Sequence, residues 1–94
     1  MAHKDFAATA VHLHESDDVA VLKQPVQAGD TISNGSLEIR AAQSIRPGHK
    51  LSLREIADGA PVRKYGQIIG FARGRIAAGE HVHTHNLAWG DFAR

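Results

Sequence analysis

The sequence predicts a small all-β domain of short, strongly bent strands with little helix, and three observations carry that prediction. First, one local phrase, apolar-x-x-Gly-x-x-apolar, recurs at Val26–Gly29–Ile32, Ile45–Gly48–Leu51, Ile56–Gly59–Val62 and Ile76–Gly79–Val82. Each copy reads as a tight turn between short strands, with glycine supplying positive φ and the flanking apolar residues pointing into a core. Second, the first and third copies are spaced by 30 residues and the second and fourth by 31, which predicts two interlocked halves related by a pseudo-twofold. Third, no long stretch shows a helical period; the nearest, Phe6 to Glu15, places His12 and His14 on an otherwise apolar face.

Taken in order, residues 1–10 are Ala-rich without turn chemistry and are expected to be a loose, flexible tail. Val11-His12-Leu13-His14 alternates apolar and polar residues, a half-buried strand signal. Glu15-Ser16-Asp17-Asp18 is a cluster of turn formers, followed by the apolar strand Val19–Leu22. Asn34-Gly35 is a hairpin turn joining Asp30–Ile32 to Leu37–Ile39. Further strands are expected over Leu37–Ala41, over Lys50–Arg54 with Leu51 and Leu53 on one face, and over Gln67–Ala72. The expected organisation is a tail (1–10), one domain (11–87) and a C-terminal tail or linker (88–94), in which Trp89 and Phe92 dock back on the domain or onto another chain.

Size and composition narrow the function. A chain of 94 residues makes one small domain of modest stability. With no cysteine there is neither a disulfide framework nor a thiolate zinc site, which leaves imidazole and carboxylate as metal ligands. Eleven basic against ten acidic residues and few aromatics argue against a nucleic-acid face. The N-terminal residues lack the apolar run of a signal peptide or a membrane span, so the expected location is the cytoplasm.

Seven histidines are the compositional outlier. In Gly79-Glu80-His81-Val82-His83-Thr84-His85-Asn86, an extended backbone would send His81, His83 and His85 to one face and Val82 and Thr84 to the other. That row is either a metal-ligand set or an exposed polar strand face. Elsewhere, Gly48-His49-Lys50 comes after a tight turn and Lys64-Tyr65-Gly66 precedes another glycine, both at strand ends where side chains reach solvent or a partner. Lysine suits a sugar-acid carboxylate, and histidine and tyrosine can move protons. No Ser-His-Asp set is present and the carboxylates are scattered, so the domain is not expected to be active alone.

The string from Gly48 to Asn86, with Gly-His-Lys, Lys-Tyr-Gly-Gln-Ile-Ile-Gly and Gly-Glu-His-Val-His-Thr-His-Asn, resembles the N-terminal SAF domain of the altronate/galactarate dehydratase family, and the likeness extends back through Asp18-Val19-Ala20-Val21. The resemblance implies a β-clip fold, and a small subunit or N-terminal domain of a hexonate hydro-lyase whose larger part carries most of the active site. It implies Fe2+ or another divalent metal in the assembled enzyme, with His81, His83 and His85 as ligands and His83 and His85 also as acid–base groups. His49, Lys50, Lys64 and Tyr65 would then help to bind the carboxylate end of a sugar acid or seal the joint with the larger part. The ending His-Val-His-x-His-Asn is more like the altronate than the galactarate branch. Small subunits of sulfolactate sulfo-lyases are similar as well, and self-association is compatible with either. A different outcome is a non-catalytic binding or assembly module, since similar SAF domains occur in antifreeze proteins, a sialic acid synthase and pilus or flagellar chaperones.

Overall fold

A computed structural model describes residues 2–12 and 14–88. Its strands are β1 (His3–Asp5), β2 (Ala10–Val11), β3 (Val19–Leu22), β4 (Thr31–Ser33), β5 (Glu38–Arg40), β6 (Lys50–Ser52), β7 (Pro61–Lys64), β8 (Gln67–Ala72), β9 (His81–Val82) and β10 (Leu87–Ala88), with a single helical turn α1 (Phe6–Thr9). They form three small sheets in the orders β1-β4-β5, β2-β3-β6-β9 and β10-β8-β7. The all-β expectation holds. No described helix is long and apolar enough to cross a membrane.

The glycine phrases build the fold as the sequence predicts. Gly29, Gly48, Gly59 and Gly79 all have φ between 81° and 93°, a region closed to most side chains. All eight flanking apolar residues, Val26, Ile32, Ile45, Leu51, Ile56, Val62, Ile76 and Val82, are buried. The two halves repeat each other's backbone bonds. Gly29 N–H donates to Ala41 C=O as Gly59 N–H does to Ala72 C=O, and Gly48 N–H donates to Leu22 C=O as Gly79 N–H does to Ser52 C=O. Antiparallel bridges join Val26 to Ile45 and Ile56 to Ile76, so the turns pair first with second and third with fourth. The core divides in the same way, into one cluster around Leu22, Ile32, Ile39 and Leu51 and another around Val19, Val62, Ile76 and Val82.

Four expectations need correction. Residues 3–9 are not a loose tail: β1 pairs in parallel with β4, Asp5 caps α1 by accepting the Ala8 N–H, and Phe6 is buried in the first core cluster. An apolar ring within reach of the core outweighs the absence of turn signals. The strand expected over Val11–His14 is instead Ala10–Val11; His14 turns away to accept the Ser16 N–H at Nδ1, and Leu13 lies outside the described residues. Ala88, expected in the C-terminal tail, pairs with Phe71 in the β8–β10 ladder, while Trp89 and Phe92 lie outside the described residues.

The fourth correction concerns Asp17 and Asp18, which are more than local turn formers. Both are buried and reach across the fold to β7 and its turn. Asp17 accepts the N–H groups of Tyr65 (2.8 Å) and Gly66 (2.7 Å), and Asp18 accepts that of Arg63 (2.7 Å) while pairing with Arg54. Burial pushes the Asp17 carboxyl up, but the Gly66 and Tyr65 amides, helped by His12 and His14, more than offset it and hold the group below its ordinary value.

Candidate metal and anion site

The imidazoles converge where β6 meets β9. The register pairs Lys50 with Val82 and Leu51 with His81, so the next step along the ladder sets His49 opposite His83. His49 Nδ1 lies 2.9 Å from His81 Nε2. The His49 ring centroid is 4.9 Å from those of both His81 and His83, and the His81 and His83 rings stack at 5.4 Å with 13° between their planes. One ring nitrogen from each of His49, His81 and His83 falls within 4.8 Å of the others.

This grouping differs from a straight row of His81, His83 and His85. The strand ends at Val82, because Asn86 Oδ1 accepts the His83 N–H at 2.9 Å and its Nδ2 donates to His81 C=O at 2.9 Å, folding residues 83–86 into a turn. His83 therefore stays beside His81, and His49, next to Lys50 at the start of β6, completes a group whose ring nitrogens are close enough to hold one ion. His85 remains in ring contact with His81 at 5.4 Å but is outside that group. The signal for His49 was present in the sequence: it comes directly after the second glycine of the phrase, and the strands that leave the second and fourth turns, β6 and β9, pair and bring it to the histidine strand.

The remaining expected residues connect to this cluster in a chain. Burial lowers the basicity of His81, and His49, His85, His83 and Lys50 lower it further. Lys50 is likewise less basic than usual, through burial and then through the charge of Lys64. Lys64 Nζ in turn sits 4.7 Å from the centre of the Tyr65 ring. The nearest acid in sequence, Glu80, is turned to the Ala77 N–H at 2.6 Å.

This geometry has two chemical consequences. The short His49–His81 contact requires an unprotonated nitrogen to accept, so at least one ring is neutral and carries a lone pair. Three imidazole donors suit Fe, Zn or Ni, and three protein ligands leave further positions open for a substrate. The adjacent ammonium groups suit an anion. His49, His81 and His83 thus fit a borderline divalent ion, with any oxygen ligand coming from elsewhere.

These features define a class: a small β domain that presents a group of imidazoles with ligand-like spacing, and nearby ammonium groups, on a partly exposed face. Comparison with known proteins gives the particular family. A profile described as the altronate/galactarate dehydratase SAF domain matches residues 8–89, and the chain belongs to that family. It is 42% identical over 76 residues to altronate dehydratase of Escherichia coli and 33% identical over 76 residues to altronate dehydratase of Bacillus subtilis, each match covering 81% of this chain. It is also 34% identical over 83 residues to (2R)-sulfolactate sulfo-lyase subunit alpha of Chromohalobacter salexigens, covering 80% of this chain. The chain spans 15% of the length of the altronate dehydratases and 88% of that subunit.

Proposed function

We propose that this domain completes the active site of a cytoplasmic sugar-acid hydro-lyase of the altronate dehydratase kind, as a small subunit or N-terminal domain beside a larger catalytic region. The observation that carries the reading is the meeting of His49, His81 and His83 next to Lys50. Its support from comparison is that the two altronate dehydratases extend well beyond the matched region.

Dehydration of a 2,3-dihydroxy acid removes the C2 proton, expels the C3 hydroxyl as water, and leaves an enol that becomes the 2-keto acid. In this reading Lys50 and Lys64 hold the substrate carboxylate, and the Tyr65 phenol hydrogen-bonds the same end. His85, exposed and outside the ligand group, carries the proton that leaves with the C3 hydroxyl. His49, His81 and His83 would hold a divalent ion such as Fe2+, which supplies Lewis-acid polarisation of the bound oxygens. The base for the C2 proton belongs to the larger region.

A second reading is favoured by one observation, the 88% coverage of the sulfo-lyase alpha subunit. Under it the same imidazole and ammonium groups serve a separate small subunit acting on a sulfonated hydroxy acid. Reassembly with the large subunit, and then turnover assays on altronate and sulfolactate, separates the two. His83→Ala in the productive assembly is expected to cut turnover by ~100-fold or more and to lower bound iron. Unchanged turnover and iron would remove His83 from the site.

A further inference from the structure

Besides Lys64 and Tyr65, the hairpin of β7 and β8 carries features that the chemistry above does not use. Lys64 pairs with Gln67, leaving Tyr65 and Gly66 as a two-residue loop with φ of 57° and 75°. Positive φ at both positions is the turn that asparagine and glycine ordinarily make. Tyr65 is the one non-glycine residue with positive φ among those described, at a cost of about 1 kcal/mol. The strain is held in place by the buried carboxylate of Asp17, which accepts both loop amides, while that of Asp18 grips Arg63 one step down β7. Two buried acids from the start of the chain therefore fix the shape of this tip.

The side chains on the tip are apolar and cationic. Tyr65 and Ile68, 52% and 47% exposed, are the large exposed hydrophobic residues of the described structure, and they lie on this one hairpin. Its charged side chains are Arg63 and Lys64, and no acid occurs between Pro61 and Ala72. A strained loop that keeps an aromatic residue in water, with an exposed branched aliphatic residue on the adjoining strand, has the make-up of an interface anchor.

We infer that the β7–β8 hairpin is the wedge by which this domain docks on the catalytic region of the lyase, with Ile68 entering an apolar recess and Arg63 facing acidic side chains at its rim, while Lys64 and Tyr65 stay on the substrate side. This rests on the functional reading above. Charge argues against a symmetric second copy docked hairpin to hairpin, which would set Arg63 and Lys64 against the same cations. The relatives supply the occupant's source, since in the altronate dehydratases most of the polypeptide lies outside the matched region.

The test is photo-crosslinking in cells that co-express the full chain with the candidate large subunit, with benzoylphenylalanine in place of Ile68 or, as a control in the Asn34–Gly35 turn, of Ser36. The expected result is a crosslink from position 68 to the lyase polypeptide and none from position 36, together with at least ~10-fold weaker retention of that polypeptide by Ile68→Glu at unchanged melting temperature. A crosslink from 68 to a second copy of the chain, or capture of the lyase polypeptide from 36 alone, overturns the docking inference and leaves the functional reading standing. Capture of no lyase polypeptide from either position overturns both.

Discussion

The turns at Gly29 and Gly48 share a backbone and differ in the residue after the glycine. Beyond Gly29 stands Asp30, buried, whose carboxylate accepts the N–H groups of Gln27 and Ala2 at 2.9 Å each. Beyond Gly48 stands His49, whose ring leaves its own turn and meets His81. The fourth turn behaves like the first, since Glu80 accepts the Ala77 N–H. The same position thus closes a turn on itself when it is acidic and reaches outward when it is an imidazole. The repeat supplies equivalent scaffolds, and a single side chain decides whether one is closed on itself or contributes to the imidazole cluster.

The comparison is broken most severely at the glycines themselves. A Cβ at Gly79 would stand 2.0 Å from the Arg40 carbonyl oxygen, whereas one at the equivalent Gly48 would meet nothing within 4 Å. Gly79→Ala is expected to cost about 3 kcal/mol or more, and Gly48→Ala only about 1 kcal/mol for its positive φ. Urea denaturation of the two variants checks this; equal losses would mean that the repeat is packed alike in both halves.

A subtler change sharpens the same contrast. His49→Asp gives the second turn the acid of the first, and is expected to stabilise the domain by roughly 0.5–1 kcal/mol through a bond to the Arg46 amide while removing a ligand from the imidazole group. Thermal melting with and without a divalent ion reads both effects. A destabilised variant would show that the acid acts through its surroundings and not through the turn.

The smallest effect is one of pH. Burial, and then the neighbouring His49, His85, His83 and Lys50, lowers the His81 pKa below 6.5, so the unfolded chain binds the proton more readily. Stability is then greatest above that value and falls as the pH drops below it. The Asp30 carboxyl, held below 3.8 chiefly by the Gln27 and Ala2 amides, loses its contribution only at much lower pH. Melting temperatures from pH 7.5 to 5 are expected to decline in the parent and to flatten in His81→Gln; a decline of the same size in both would place the titration elsewhere.

Much of the fold was legible because a glycine at positive φ between apolar residues leaves the chain few choices, and four such phrases fixed most of the strands. Gln67–Ala72 forms as read. The features that escaped depend on contacts distant in sequence. Asp17 and Asp18 look like local turn formers until β7 comes within reach, and Phe6 has no periodic context that would mark it as core. In the site, His81 and His83 were visible as a pair. The departure of His85 was not, because it turns on both ends of the Asn86 amide bonding to nearby backbone, which strand periodicity does not contain.

The central claim is that His49, His81 and His83 act as one ligand group drawn from two strands. Titration of the domain with Co2+, read by its visible absorption, tests that claim most directly. One equivalent bound with a strong ligand-field band is expected, retained in His85→Ala and weakened ~10–100-fold in His49→Ala. Undiminished binding in His49→Ala, with loss in His85→Ala, would restore the single-strand row and contradict the account.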